Sequence, residues 1–361
     1  MRLRHFEELA PVCPRCRSGG FGDVGLLLAI IERRAGDDIE EGILHCTRPD
    51  CLQEFPIVDG IPIIVPSVAQ YIADNLWHIT ARDDLSETLL SLLGDAVGQN
   101  SAFDSSRYHI SSYAHDHWGE FDPEEAGALF PPGAVARCLT AGLDLLGAPV
   151  HAGPGLDIGC SVGRSSFVLA SRVPGLVLGG DLNFAMLRLA RRALTRAEVV
   201  YPRRRIGLVY DRRGFDVPND GAERIDFWAM DAMALPFSAG RFGAISALNL
   251  LDCVPDPRAA LAGIGAVLRP DGAAVLATPY DWSANATQPR GWIGGHSQRG
   301  LGRGAAEPLL RGLLTAGGGC GLRLVGEQTD FPWHVRLHDR STVAYSAHVL
   351  AARAITTSGC V

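Results

Sequence analysis

Four cysteines open the chain in two pairs, Cys13-Pro-Arg-Cys16 and Cys46-Thr-Arg-Pro-Asp-Cys51. Two thiolate pairs can close a tetrahedron around one zinc ion, and four protein ligands leave no open position for chemistry. The expectation is therefore a structural zinc site at Cys13, Cys16, Cys46 and Cys51. A redox pair or unligated thiols are the alternatives, and a thioredoxin-like pair needs a βαβ context that this segment lacks. A second constellation begins at Leu156-Asp-Ile-Gly-Cys-Ser-Val-Gly-Arg164, an apolar strand running into a glycine turn that opens a helix. A dinucleotide fingerprint would read Gly-x-Gly-x-x-Gly there, with a pyrophosphate on the helix N-terminus. Here Asp157 is followed by Gly159 and Gly163, a wider spacing with a less crowded middle. Eighteen residues after Gly163, Gly179-Gly-Asp181 places a carboxylate at the end of the next strand, where it suits the two hydroxyls of a ribose.

A third group is aromatic and lies in loops beyond strand ends. Thr278-Pro-Tyr-Asp-Trp282 follows one strand directly, Gly291-Trp-Ile-Gly-Gly-His296 comes soon after, and Phe331-Pro-Trp-His-Val-Arg336 precedes the last strand. Upstream, Tyr113-Ala-His-Asp-His-Trp-Gly119 carries two histidines. Taken singly, Trp282, Trp292 and Trp333 read as core aromatics, and His115 and His117 read equally well as surface residues. Their company of Gly and Pro in loops past strand ends favours a pocket wall.

These residues need elements to position them. The chain has 361 residues, 47% hydrophobic and 20% charged, which is the composition of a globular protein long enough for two domains. The first segment ends in Phe55-Pro-Ile-Val-Asp-Gly-Ile-Pro-Ile-Ile, two β-branched runs about an Asp59-Gly60 turn. From Ser67 to Leu145 the pattern is mainly helical. From Gly155 strands and helices alternate, with strands expected at 155–158, 176–180, 225–229, 242–248, 273–278, 323–327 and 341–350. That grammar predicts an α/β fold with a doubly wound, mainly parallel, seven-stranded Rossmann-like sheet, and a small N-terminal zinc-ribbon domain. The expected division is 1–66 zinc ribbon, 67–150 helical linker and lid, and 151–361 main domain.

In order along the chain, the glycine loop, Asp181, Met230-Asp-Ala-Met-Ala-Leu-Pro-Phe237, Ala247-Leu-Asn-Leu-Leu-Asp252 and Leu268-Arg-Pro-Asp-Gly272 resemble the motifs of class I S-adenosylmethionine-dependent methyltransferases. The resemblance implies an enzyme of methyl transfer. It places the cofactor against Asp157, Gly159, Cys160, Gly163, Asp181, Leu182 and Asn249, with Asp231 and Ala232 beside the adenine. The cysteine-bearing segment resembles the small zinc-ribbon proteins that bind and activate tRNA and translation-factor methyltransferases. That implies a structural or partner-like module fused to the enzyme.

A narrower resemblance rests on Gly159-Cys-Ser-Val-Gly-Arg-Ser-Ser-Phe167, Asn249-Leu-Leu-Asp252, Pro279-Tyr-Asp-Trp282, Trp292-Ile-Gly-Gly295 and His117-Trp-Gly119, which look like the methyltransferase domain of ovothiol biosynthesis enzymes. Those methylate an imidazole nitrogen of a mercaptohistidine. By that resemblance Asn249, Asp252, Tyr280 and Trp292 line an acceptor pocket, and the aromatic loops and upstream stretch read above add Tyr113, His117, Trp282 and Trp333 to the expected substrate contacts. Asp252 or Tyr280 then takes the proton that a nitrogen acceptor must lose. This chain departs in its zinc ribbon, in lacking an iron-dependent sulfoxide synthase module, and in its arginine-rich segment.

Nine arginines between Arg188 and Arg213 meet only Glu198 and Asp211, and Tyr201 and Tyr210 interleave them. They suit an RNA backbone, and a zinc ribbon before a methyltransferase domain also resembles bacterial guanine-N-methyltransferases of large-subunit rRNA. The alternative is an amphipathic helix plus a solvated loop. The chain has no lysine at all, so arginine richness by itself is a weak signal, and the net charge of −7 counts against wholesale nucleic-acid binding. A small-molecule acceptor is the expected partner, RNA the alternative, and a non-catalytic cofactor-binding scaffold the third reading. No apolar run reaches membrane-span length and the start lacks a signal-peptide core, so the expected location is the cytoplasm without a membrane partner. The five scattered cysteines, Cys138, Cys160, Cys253, Cys320 and Cys360, read as small buried hydrophobes.

Overall fold

The computed structural model describes residues 1–150 and 152–355, so Cys360 lies outside the described residues. Two short helices, α1 (Leu3–Leu9) and α2 (Pro14–Ser18), precede four antiparallel strands, β1 (Leu26–Ala35), β2 (Asp38–Cys46), β3 (Glu54–Val58) and β4 (Ile61–Ile64). Asp59 and Gly60 turn β3 into β4 with both φ angles positive, 52° and 76°, the geometry whose twist matches a tight hairpin. Helices α3 (Val68–Ile79), α4 (Glu87–Val97), α5 (Ala102–Trp118) and α6 (Ala134–Asp144) follow. The aromatic stretch 108–119 is thus mostly helical.

The alternating part runs β5 (Gly155–Ile158), α7 (Arg164–Arg172), β6 (Val177–Asp181), α8 (Phe184–Arg196), β7 (Glu198–Ile206), β8 (Val209–Asp216), β9 (Ile225–Met230), β10 (Phe242–Leu248), α9 (Pro257–Val267), β11 (Leu268–Thr278), α10 (Glu307–Leu313), β12 (Leu322–His338) and β13 (Ser341–Ala354). The main sheet has the order β1-β2-β3-β4-β9-β6-β5-β10-β11-β13-β12. Its centre, from β4 to β11, is parallel, and β13 and β12 close it antiparallel. Every residue of β5, β9 and β10 is buried, as strands covered by helices on both faces require. The seven expected strands are present. The cysteine-bearing segment joins them through Ile63 and Ile64 of β4, which pair with Ala229 and Met230 of β9.

Two expectations change. The arginine-rich segment is not a helix plus a solvated loop, because residues after α8 form the β7–β8 hairpin, with Val199 and Tyr201 buried. Alternating apolar residues at its base and Gly207 at φ 55° permit the turn. The last two strands are also longer than expected. Phe331–Arg336, read as a loop, lies inside β12 with Trp333 opposite Tyr345. Among the described residues no helix is long and apolar enough to cross a membrane.

The chain runs from β5 outward to β6 and β9, then returns to β10 on the other side of β5. A crevice opens at the carboxyl ends of strands where such an order reverses, and ligands of open α/β sheets bind there. Gly163 makes the tight entry to α7. It sits at φ 92°, and a Cβ there would meet Phe227 Cζ at 2.7 Å and Ala190 Cβ at 2.8 Å. Gly163→Ala is expected to cost about 2–4 kcal/mol, read as a lower denaturation midpoint. An unchanged midpoint would mean that the turn relaxes freely.

Candidate functional site

The glycine turn, Asp181, Asp231, Asn249 and the Thr278–Trp282 loop all follow carboxyl ends of parallel strands, so the fold brings them to one edge. Asp181 ends β6. Its carboxylate accepts the Ser161 N–H and the Asn183 N–H, both at 2.8 Å, tying the glycine turn to the start of α8. Burial raises its pKa above the usual carboxylate range against the downward pull of those backbone bonds. Leu182 beside it is exposed, and its carbonyl accepts the Tyr71 hydroxyl of α3 at 2.9 Å. Asp231 caps the short turn Ala232–Ala234 by accepting the Met233 N–H at 2.8 Å. Cys160 is buried within the glycine turn.

Asp157 is placed differently from the expectation that it meets the cofactor. It is 1% exposed and accepts the hydroxyls of Ser165 (2.6 Å), Ser166 (2.7 Å) and Ser246 (2.8 Å). Both its oxygens are occupied inside the protein, so its contribution is to hold the glycine turn against α7 and β10.

On the acceptor side Asn249 takes a left-handed φ of 50°, and its Oδ1 is buried without a partner. A buried acceptor left open at a strand end is costly unless a ligand donor meets it. That suits the ammonium of a methionine moiety, so the residues present fit S-adenosylmethionine. Asp252, 3% exposed, has its carboxyl pushed up to about 6, chiefly by burial, with the Asp281 charge adding to it. The Thr278 hydroxyl reaches Asp252 at 3.4 Å and in turn accepts the Tyr280 N–H at 2.9 Å. Trp282 and Trp292 stack with ring centres 6.0 Å apart and planes 9° apart, and Tyr280 lies 6.4 Å from Trp282.

From helix α5, Tyr113 keeps 40% of its surface open, yet desolvation raises its phenol pKa, with Cys253, Asp181, Asp116 and Asp252 adding their charges. Both Asp181 and Asp252 are thus close enough for their charges to act on it. His117 lies behind it, 4% exposed and pushed down to about 3 by burial and Arg164, so its ring is neutral. His115 is equally buried, so neither histidine is a surface residue. Trp118 donates to the Val162 carbonyl at 2.8 Å, which anchors α5 on the glycine turn. Trp333 does not join the pocket wall: it is 3% exposed and donates to Asp116 at 2.8 Å, because the β12 pairing turns it into the core.

Reading the sequence missed His348 and Glu327. His348, 1% exposed on β13, meets the Tyr280 hydroxyl at 2.6 Å and Glu327 at 2.9 Å. The available signal was a lone imidazole in the otherwise apolar run Ala347-His-Val-Leu-Ala-Ala352.

The four N-terminal cysteines converge, with all sulfurs within 4.8 Å of one another. Cys16 and Cys46 are 3.6 Å apart and Cys13 and Cys51 3.9 Å. A tetrahedron with metal–sulfur bonds of roughly 2.3 Å has edges of roughly 3.8 Å, so the donor set fits zinc. The same segment reaches the crevice: Val12 N–H donates to the Pro236 carbonyl at 2.9 Å, and Arg17 to the Leu235 carbonyl at 2.7 Å, both in the loop that Asp231 begins.

Residues 156–276 match the family model of a methyltransferase domain. Among solved structures, the phosphoethanolamine N-methyltransferase 2 of Haemonchus contortus in complex with S-adenosyl-L-methionine is 20% identical, with a TM-score of 0.31. That alignment covers 39% of this chain and only 28% of that one. A S-adenosylmethionine-dependent methyltransferase of Methanosarcina mazei is 21% identical over 56% of this chain and 93% of its own, with a TM-score of 0.36. No curated protein matches the chain. With the family match lying on the strands, glycine turn and crevice just described, residues 156–276 are a class I S-adenosylmethionine-dependent methyltransferase domain.

Proposed function

We propose that the protein methylates a nitrogen of a small, flat acceptor such as the imidazole of a histidine-derived compound. The observation that carries this reading is the stacked Trp282–Trp292 pair beside Tyr280, at the carboxyl end of the strand next to the switch point. Aromatic faces hold a flat neutral ring by stacking and exclude water from it. S-adenosylmethionine, when bound, supplies a methyl on a sulfonium sulfur. The chain's own task is to orient the acceptor and take up its proton. Asp181 holds the ribose, Asn249 Oδ1 receives the ammonium, and Tyr113 covers the cleft from α5. Of the two residues placed to receive the proton, Tyr280 has an outlet through His348, whereas Asp252 is buried and linked to the Thr278–Tyr280 loop.

The arginines argue for a small acceptor over RNA. Six of the nine (Arg188, Arg191, Arg192, Arg203, Arg205 and Arg213) are already in ion pairs with Asp or Glu. A cavity of about 760 Å³ behind α8, lined by Arg188, Arg192, Arg196, Trp77 and Tyr210, also contains Asp59, Asp83 and Asp211. Its charge is largely balanced. The four cysteines hold zinc in a purely structural role.

Labelled S-adenosylmethionine offered to total RNA and to a small-molecule extract rich in histidine derivatives tests the reading. Label is expected in the small molecules, and label in RNA alone would overturn it. Trp292→Ala should raise the acceptor KM about 3–10-fold, as expected for losing one stacking face, with cofactor affinity unchanged. An unaltered KM would remove the aromatic wall from the argument.

A further inference from the structure

We infer that His348, backed by Glu327, is the proton outlet of the acceptor site, acting through Tyr280; the inference rests on the nitrogen-acceptor reading above. The three residues lie on neighbouring segments at one end of the sheet. Tyr280 follows β11, His348 stands on β13 opposite Thr278, and Glu327 stands on β12. The Tyr280 hydroxyl is 2.6 Å from His348 Nδ1, His348 Nε2 is 2.9 Å from Glu327, and Arg311 of α10 binds the same carboxylate at 2.8 and 3.0 Å.

The direction of these bonds follows from charge. Glu327 sits below its ordinary pKa because Arg311 and His348 bond to it, so it is an acceptor only. His348 Nε2 must then carry the hydrogen, and its Nδ1 offers a lone pair. The Tyr280 hydroxyl therefore donates to His348, which leaves the phenol oxygen's lone pairs free to accept a proton. A phenol is a poor base alone, but one that can pass its own proton onward is not. Burial keeps His348 below the usual imidazole pKa, so it is neutral and ready at pH 7. The charged groups facing it are Glu327 on β12, and Arg311 and Glu307 on α10.

The step balances without an oxidant or reductant. The acceptor nitrogen's lone pair forms the new N–C bond, and the electron pair of the broken C–S bond stays on sulfur. The cationic ring that results loses its remaining N–H proton to Tyr280 Oη as the phenolic proton passes to His348 Nδ1. The Nε2 proton leaves through Glu327, whose side chain is 30% exposed while that of His348 is 2% exposed.

Two measurements test this. Nitrogen NMR of histidine-labelled protein, with the resonances assigned by His348→Gln, is expected to show the Nε2–H tautomer at pH 7.5; the Nδ1–H tautomer or an imidazolium would overturn the inference. With L-histidine and mercaptohistidine as probe acceptors, His348→Gln should lower kcat about 100-fold or more with little change in cofactor affinity. Tyr280→Phe should do the same, and the double variant should be no worse than either, since the two act as one unit. Because His348 is buried, the exposed-side variant Glu327→Gln guards against misfolding. It should lower kcat and move the acid limb of the pH profile to lower pH, since imidazolium loses its partner. An unmoved limb with kcat within twofold of the parent would overturn the outlet. A parent enzyme inactive on both probes would count against the acceptor reading alone, and the tautomer would then decide the outlet.

Discussion

Replacing Cys13 by serine, or stripping the metal with a chelator, is expected to lower the melting temperature by about 3–5 °C and to weaken cofactor binding with it. Structural zinc contributes folding energy outright, about 10 kcal/mol or more in isolated fingers. Here the loss is smaller, because the segment is also held by the β4–β9 pairing, and about 2–4 kcal/mol translates into that shift in a protein of this size. The link to the cofactor is the contact of Val12 and Arg17 with the Leu235–Pro236 backbone, in the loop that starts at Asp231. Metal analysis, melting with and without chelator, and calorimetry check the three parts. A melting curve that neither chelator nor Cys13→Ser alters would sink the structural-zinc assignment, and a lower melting temperature with unchanged cofactor affinity would limit the ribbon to stability.

Asp181→Ala is expected to weaken S-adenosylmethionine binding by about 2–4 kcal/mol, or roughly 30- to 1000-fold, while the chain stays folded. On the proposed reading the carboxylate offers charge-assisted bonds to the ribose, and it orders Ser161 and Asn183 around it. Its position at the tip of β6 is why the fold should survive. The pH dependence has two signs. Because burial raises the Asp181 pKa in the folded protein, its contribution to stability is present below the unfolded carboxylate pKa and is lost as pH rises through the folded one. Affinity moves the other way, since protonation removes an acceptor, so binding should weaken as pH falls through the raised pKa. Unchanged affinity in Asp181→Ala would count against the ribose assignment.

The parts legible in the sequence were those that local chemistry dictates. Gly163 at φ 92° and the Asp59-Gly60 hairpin could be read because only certain residues adopt those angles. The runs of β5, β9 and β10 could be read because strands buried on both faces are nearly continuous in apolar residues, interrupted here only by Asp157, Asp226 and Ser246. The paired cysteine spacings pointed at one another for the same reason, that a tetrahedral site tolerates few loop lengths.

What stayed hidden was decided by neighbours distant in the chain. The fate of Arg188–Arg213 depended on carboxylates such as Asp59, Asp83, Asp122 and Asp339, which sequence spacing does not connect to it. Asp157 looked like a ligand residue until three serines from α7 and β10 took its oxygens. Trp333 looked like a loop aromatic, but the long β12–β13 pairing turned it inward to Asp116. His348 gained its meaning only from Tyr280, 68 residues away, and from Glu327 across a strand. Sequence alone determined that this chain would build a glycine turn, a carboxylate at the end of the next strand and a four-thiolate knot, because those follow from backbone angles and ligand spacing. Only the tertiary structure decided which charges are neutralised and which polar atom faces the crevice, because a side chain's partner is set by sheet register and helix packing and not by its place in the chain.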